Sequence, residues 1–399
     1  MRFVQPDGAF WEVALTGKIV HARWGKGDAV KTRTAPFKSV AEAKAELNAV
    51  IKKVKSLGYR AEEKPKGIAE ALRADPYDDS PLIVYADELL SRGDLRGELA
   101  SLVARGRKPE LGRFLLANAS ALFEKAENDV HEGFADELLW APGFIREATL
   151  KVSSSSDVDE LVAVTRRFLS APVAEFIREL NFGFGSWSEV AEEVTRARHP
   201  ELVTALRFNA FDPSELEEEF HAGDFGEVWP KLPELRELMV HAKSMDPGEL
   251  VLPELRHFSR LGGGLSSSEV RSITKAHWPK LDSLELGFDS EHQEDVSRLL
   301  TWLFQKPLSL TALALRELTL SADQVDALLD SALLPKLVAL DLTEVLLDED
   351  AAERLTDGAE KLAHLERLSS PWLIGEEGDA TVPVLEDLDN LVEDAFYTD

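Results

Sequence analysis

Three sets of side chains in this sequence are of a type that does chemistry: nine histidines, a large surplus of carboxylates, and arginines and lysines set beside tryptophan near one end. A helical zinc hydrolase site needs two histidines four residues apart with a glutamate beside the first. His199, His221, His241, His257 and His277 recur at wide, uneven intervals and form no such motif. Gly262-Gly263-Gly264 follows a strand-like run, but a phosphate-cradling loop needs a Lys-Ser/Thr pair behind its glycines, and Leu265-Ser266 stands there instead. No Ser-His-Asp arrangement is defined by the order of residues, and the carboxylate pairs have no diagnostic spacing. The absence of cysteine removes thiolate nucleophiles, disulfides and cysteine-based zinc sites together. The expectation is a protein that is not an enzyme, with no catalytic residues, no metal, no cofactor and no small-molecule substrate. Binding chemistry remains: Trp24 offers a flat face for a base, and Arg23, Lys26, Lys31 and Arg33 around it neutralise phosphates.

Positioning those groups falls to a basic segment of an acidic chain. Residues 1–66 carry 14 Lys or Arg against 7 Asp or Glu, while the rest of the 399 residues holds 31 against 66, for a net charge of −28 overall. Such asymmetry speaks of partners rather than of fold. Residues 10–15 alternate apolar and polar, Thr16-Gly17-Lys18 makes a turn, and residues 19–24 alternate again, which predicts a hairpin. Ser39 then caps a helix whose Ala41, Ala43, Leu47, Val50, Ile51 and Val54 share helical spacing until Gly58.

Phe10-Trp11-Glu12, Arg23-Trp24-Gly25-Lys26, Phe37 with its alanine-rich helix, and Gly58-Tyr59 resemble the WGR domain over residues 1 to about 63. In the poly(ADP-ribose) polymerases that domain touches DNA near a strand end. Related domains occur in bacterial proteins resembling the molybdate metabolism regulators. The resemblance implies DNA or RNA as a partner of residues 1–66. The family's third motif residue is Arg and here it is Lys26, which keeps the charge without the planar fork. Repeats stand where the polymerases have their catalytic domain, so ADP-ribosyl transfer is not implied.

Residues 67–143 read as helices. Asp79 or Ser80 caps one that opens on Pro81 and carries Leu82, Val84, Tyr85, Leu89 and Leu90, Gly93 breaks it, and Leu95, Leu99 and Leu102 continue in a second. Ala74-Asp75-Pro76, Val84-Tyr85-Ala86-Asp87 and Arg92-Gly93-Asp94 resemble the bacterial repeat-companion domain, which typically precedes leucine-rich repeats and brings no chemistry of its own.

From Phe144 the chain repeats. Strand-like segments place Ala148, Leu180, Leu206, Leu238, Phe258, Leu284, Leu313, Leu340 and Leu368 at one position, at intervals of 32, 26, 32, 20, 26, 29, 27 and 28 residues. Capping-box spacings at Ser186/Glu189, Ser214/Glu217, Ser266/Glu269 and Ser321/Gln324 start helices between several strands, and the shortest interval, 238 to 258, leaves room only for a turn. Strands separated by helices must run parallel. The pattern resembles the leucine-rich repeats over 144–374, with Leu318 and Val345 at two asparagine positions, and implies an α/β solenoid with parallel strands inside and helices outside. The small α+β WGR-like domain and the helical segment precede it. Residues 375–399, with nine acidic side chains and no basic one from Glu376, are expected to form an acidic cap or tail, its helix running through Leu385, Leu388, Leu391 and Val392.

In such an array the residues between the leucines cover a concave sheet: Asn181, Arg207, Asn209, Met239, His241, His257, Ser259, Glu285, Arg316, Asp341 and Thr343. The expectation is a non-enzymatic adaptor that binds a protein partner there, with nucleic acid as a partner of the basic module. The alternatives are a nucleic-acid-responsive regulator acting mainly through that module, and an inhibitor or immunity protein that captures a basic partner. No apolar run reaches the roughly 18 residues that span a bilayer, and no basic, apolar leader follows Met1, so the expected location is the cytoplasm with no membrane contact.

Overall fold

Apolar residues recur every second position in the strands of the main sheet, as at Leu284 and Leu286 or Leu313 and Leu315, and every third or fourth in helices such as that of Val325, Leu328 and Leu329. The computed structural model describes residues 2–4, 9–16, 18–26, 29–57, 59–61, 67–152, 158–209, 220–288, 293–306, 308–374 and 380–383. They divide into two units, Met1–Ala71 and Leu72–Asp399. Expectations for Ser214/Glu217 and for the helix through Leu385 lie outside the described residues.

The first unit is an antiparallel sheet of β1 (Arg2–Val4), β2 (Phe10–Thr16), β3 (Ile19–Lys26), β4 (Ala29–Pro36) and, after the helix α1 (Val40–Ser56), β5 (Arg60–Ala61), in the order β4-β3-β2-β1-β5. The hairpin of β2 and β3 is the one expected from the alternation; β4 is an addition to it. Ser39 Oγ accepts the Glu42 N–H at 3.1 Å, and the Glu42 carboxylate accepts the Lys38 N–H at 3.1 Å, so the start of α1 is capped from both sides. Val54 of α1 is buried against Val13 and Ala22, with Leu47, Val50 and Ile51 around it.

The boundary between the units falls within α2 (Ile68–Ala74), and the second unit continues with α3 (Ser80–Ser91), α4 (Leu95–Ala104), α5 (Lys108–Phe123) and α6 (Glu127–His131). Asp94 caps α4 by accepting the Arg96 N–H at 3.0 Å. Asp79 stands at the cap position of α3, but its side chain makes no capping bond. It is drawn instead to the buried Arg178 guanidinium at 2.5 Å, because an ion that has lost its water needs a counter-charge more than an exposed helix end needs a cap. Gly97 lets α4 pass against α3: a Cβ there would lie 2.2 Å from the Leu90 backbone nitrogen. Leu99, Leu122 and Phe123 belong to the same buried core as the strands that follow.

Those strands form a ten-stranded sheet. Its edge strand β6 (Ala135–Ala141) pairs antiparallel with β7 (Phe144–Leu150). Then come α7 (Val158–Leu169), β8 (Glu179–Phe182), α8 (Trp187–Val194), β9 (Ala205–Phe208), β10 (His221–Asp224), β11 (Glu237–His241), β12 (Ser244–Asp246) and β13 (His257–Leu261). The chain continues through α9 (Ser267–Lys275), β14 (Ser283–Gly287), α10 (Gln293–Gln305), β15 (Ala312–Arg316), β16 (Leu318–Leu320) and α11 (Ala322–Leu329). It ends in β17 (Ala339–Asp341), β18 (Val345–Leu347), α12 (Glu349–Asp357), β19 (Arg367–Ser369), β20 (Trp372–Ile374) and β21 (Ala380–Pro383).

The main sheet has the order β19-β17-β15-β14-β13-β11-β9-β8-β7-β6, a smaller one runs β16-β18-β20-β21, and β10 pairs with β12. The molecule is thus mixed α/β with a large, mostly parallel sheet. Its register joins Ala148, Leu180, Leu206, Leu238, Phe258, Leu284, Leu313, Leu340 and Leu368 as successive Cα partners, the nine positions expected from the leucine spacing. Eight of the nine are at most 2% exposed, and Leu368, on the end strand, is 6%. The short interval between β11 and β13 holds β12 and no helix, as its length requires.

Of the expected capping boxes, Ser266 is complete: its Oγ accepts the Glu269 N–H and the Glu269 carboxylate accepts the Ser266 N–H. At Ser321 the Gln324 side chain accepts the N–H at 2.9 Å, and Ser186 caps α8 without a side-chain bond. The next inward row reads Leu150, Phe182, Phe208, Val240, Arg260, Leu286, Leu315. Arg260 is therefore a cation at a core position, 1% exposed, and Glu269, also 1% exposed, meets it at 2.8 Å.

Candidate functional site

Because side chains alternate across a strand, residues one step either side of the inward leucines share the opposite face of the main sheet. One row runs Thr149, Asn181, Arg207, Met239, Ser259, Glu285, Ala314, Asp341, Ser369, and a second runs Glu147, Glu179, Ala205, Glu237, His257, Ser283, Ala312, Ala339, Arg367. His241 aligns with Leu261 on β13, and Arg316 with Gly287 on β14. Asn209 follows β9 and Thr343 follows β17. Nine of the eleven residues expected on this face stand at outward-alternating positions of these strands, and Asn209 and Thr343 lie beyond the strand ends.

Two arginine-centred clusters divide the face. In the first, Arg207 donates to Glu237, with one bond of 2.7 Å, and reaches Glu147 and Glu179 at 3.4 Å and Asn181 Oδ1 at 3.1 Å. Asn181 Nδ2 donates to Glu147 at 3.0 Å, and Thr149 Oγ1 donates to Glu137 at 3.0 Å. Burial works against the Arg207 charge, but hydrogen bonds and attraction from Glu237, then Glu179 and Glu147, outweigh it and hold its pKa above the ordinary value.

In the second cluster, Arg316 joins Glu285 at 3.1 Å to Asp341 at 2.7 Å. Ser259 Oγ donates to Glu285 at 2.7 Å, and the Thr343 hydroxyl donates to Asp341 at 2.6 Å. Burial again opposes the Arg316 charge, and Asp341 and Glu285 overcome it, so its pKa also lies above the usual range. Ser259, Glu285 and Asp341 are buried inside this network rather than open on its surface.

Between the clusters lies a stripe of different character: half-buried Met239 and His241 with exposed His257 beside them. Burial, then the neighbouring Arg260 charge, pushes the His241 pKa below its ordinary value against a smaller opposing pull from Glu285, so the ring is neutral at pH 7. A Cβ at Gly262 would lie 2.4 Å from the His241 ring, so only glycine lets the loop after β13 close over it.

In the first unit, strand alternation separates the five residues expected to hold nucleic acid. Trp24 lies opposite Lys31 and Ala22 opposite Arg33, so Trp24, Lys26, Lys31 and Arg33 share the face that α1 covers, while Arg23 sits on the other with its guanidinium 5.6 Å from the centre of the Phe10 ring. Trp24 is half-buried and packs against the Val13, Ala22 and Val54 core with Trp11 stacked on it at 4.6 Å, so one face of the ring is already occupied.

Glu147, Glu179 and Glu237 went unnamed in the sequence reading although they stand two residues before residues of the named row. The same alternation that selects Asn181 and Met239 also selects them. The pairing of Arg260 with the capping residue Glu269 was missed because an arginine in a strand reads as solvent-facing. Among the described residues no group of three or more His, Asp or Glu side chains could hold a metal ion, and no helix is long and apolar enough to cross a membrane. No protein-family model matches the chain, and no curated protein matches it either.

Proposed function

We propose that this chain is a non-enzymatic adaptor in which residues 144–374 form a leucine-rich-repeat solenoid and the open face of its sheet binds a protein partner. The observation that carries the reading is the unbroken register from Ala148 to Leu368, which lines up one continuous face across nine strands. On that face the charged side chains satisfy one another at both ends and leave Met239, His241 and His257 between them. A partner that buries this stripe gains apolar contact without breaking the ion pairs. The test is capture of partners by the full chain beside a Met239→Glu/His257→Glu variant of unchanged melting temperature. A polypeptide retained by the first and lost by the second supports the reading, and identical capture by both removes it.

Two other readings each have an observation in their favour. The shared face of Trp24, Lys26, Lys31 and Arg33 favours a regulator that contacts DNA or RNA through a WGR-like domain at residues 1–66. Anisotropy with labelled DNA and RNA across a salt series tests it: binding with a salt slope that the exposed-site variant Lys26→Ala/Lys31→Ala abolishes supports the regulator. The excess of the partly exposed Glu147, Glu179 and Glu237 over Arg207 favours capture of a basic partner. Under that reading Glu179→Lys/Glu237→Lys loses the partner.

A further inference from the structure

A cavity of about 410 Å³ lies in the second unit where α7 and α8 end, away from the open face of the sheet. Arg166, in the last turn of α7, and Arg196 and Arg198, just after α8, line it. Two carboxylates beneath them fix their positions. Buried Glu193 accepts from Arg166 through two nitrogens, at 3.1 and 2.9 Å, and also from Arg196. Glu175 accepts from Arg198 at 2.8 Å and, on its other oxygen, from Arg96 at 3.0 Å. The hydrogen bond from Arg166, against burial and helped by Arg196, holds the Glu193 carboxyl below its ordinary pKa, so it stays charged and keeps both guanidinium groups in place. A helix dipole accounts for one cation at each helix end, but not for three around one cavity in residues 67–399, where 66 acidic side chains face 31 basic ones.

Each of the three arginines meets its carboxylates with only part of its donors. Arg166 uses Nε and Nη2 on Glu193 and keeps Nη1. Arg198 uses Nη1 on Glu175 and keeps Nε and Nη2. Arg196 divides its two Nη atoms between Glu193 and Glu192 and keeps Nε. All three side chains are exposed, so these donors are open to a ligand. A planar carboxylate has two oxygens and matches one guanidinium fork, whereas the three terminal oxygens of a phosphomonoester dianion can accept from several forks at once. Leu169, Ala171 and Ala197 supply an apolar wall for whatever carries the phosphate, and the volume lies within the range of small-molecule sites, about 300–1,000 Å³.

We infer that this cavity binds a phosphomonoester, with the dianion on Arg166, Arg196 and Arg198 and the body that carries it against Leu169, Ala171 and Ala197. The same group arrives on a small molecule or on a phosphorylated peptide side chain. The inference rests on the cavity's lining and holds whether or not the open face of the sheet binds a protein.

The experiment is calorimetric titration of the full chain with phenyl phosphate and with inorganic phosphate, followed by competition of phenyl phosphate against a phosphoserine peptide and its unphosphorylated form. Arg166→Ala and Arg198→Ala remove exposed cations from two separate segments, and Ala197→Leu narrows the cavity without changing charge. Saturable binding of phenyl phosphate that each arginine variant weakens about tenfold or more, with melting unchanged in at least one of them, supports the site. Weaker binding of phenyl phosphate by Ala197→Leu supports the apolar wall. Competition by the phosphopeptide identifies a peptide as the carrier, and phenyl phosphate binding without it identifies a small molecule. Absence of binding by phenyl phosphate, inorganic phosphate and the phosphopeptide overturns the inference. So does binding that survives both arginine variants, or equal competition by the unphosphorylated peptide, which shows that the phosphate is not what is held.

Discussion

Trp11 and Trp24 stand directly opposite each other on β2 and β3, and their indoles stack with centroids 4.6 Å apart. Each ring shields the other from water and both pack on the small core beneath α1. A unit of this size has little stability to spare, so the pair contributes a large share of it.

Trp24→Ala therefore costs the first unit about 3 kcal/mol, within the range for truncating an aromatic core residue. Scanning calorimetry of the full chain should show the transition of this unit shifted down or lost while that of the second unit stays. Trp24→Phe, which keeps a stacked ring, should recover most of it. An unchanged trace with Trp24→Ala would show that the indole is not part of the core.

Arg260 and Glu269 form an ion pair in which both side chains are 1% exposed. The Arg260 guanidinium also donates to the Ala242 carbonyl at 2.6 Å and the Lys243 carbonyl at 3.2 Å, so it ties the turn after β11 to the start of α9. Glu269→Ala leaves a buried cation unpaired and should cost about 3–5 kcal/mol in urea unfolding. Arg260→Met with Glu269→Gln removes both charges and should cost less than either single change. A double variant as unstable as the sum of the singles would mean that the two groups act independently.

Arg207 holds three carboxylates from three other strands. Removing it leaves those charges facing one another, and Arg207→Ala should cost about 2 kcal/mol, the scale of hydrogen bonds to charged groups. Arg207→Lys should restore little, because an ammonium cannot reproduce the fork that meets Glu237 with two nitrogens. Urea midpoints of the three proteins check this, and full recovery by lysine would refute the geometric argument.

His241 sets a pH dependence. Its folded pKa lies below the unfolded value near 6.5, so the unfolded chain takes up the proton first as the pH falls. This contribution is neutral above about pH 6.5 and turns destabilising as the pH drops through the window between the unfolded and folded values. Urea midpoints at pH 7.5 and 5.5 should differ more in the wild type than in His241→Gln. An equal difference in the two proteins would assign the effect to other groups.

Much of the second unit was legible because each strand repeats a leucine whose burial only one register satisfies; a slip of one residue would turn Leu284 and Leu313 to water. The outward rows follow from that register, which is why Asn181, Met239 and Asp341 were placed on one face. What the sequence did not disclose is what those side chains do to one another. Glu285 reads as a surface charge, and only the neighbouring strands show that Ser259 and Arg316 claim it. β4 escaped notice because residues 29–36 pair alanines with Thr, Lys and Arg, leaving no apolar alternation to read. β6 was hidden inside a segment read as helical throughout. Asp79 looked like a cap because the buried Arg178 that claims it lies 99 residues away.

The central claim is that the sheet face around Met239 meets a protein, and site-specific photo-cross-linking tests it most directly. A photoreactive amino acid at Met239 and, in a second protein, at the half-exposed Asp326 on helix α11, would be irradiated in cells that make the chain, and adducts identified by mass spectrometry. The account predicts a discrete adduct with a partner polypeptide from position 239 and none from position 326. An adduct from position 326 alone, or none from either, would contradict it.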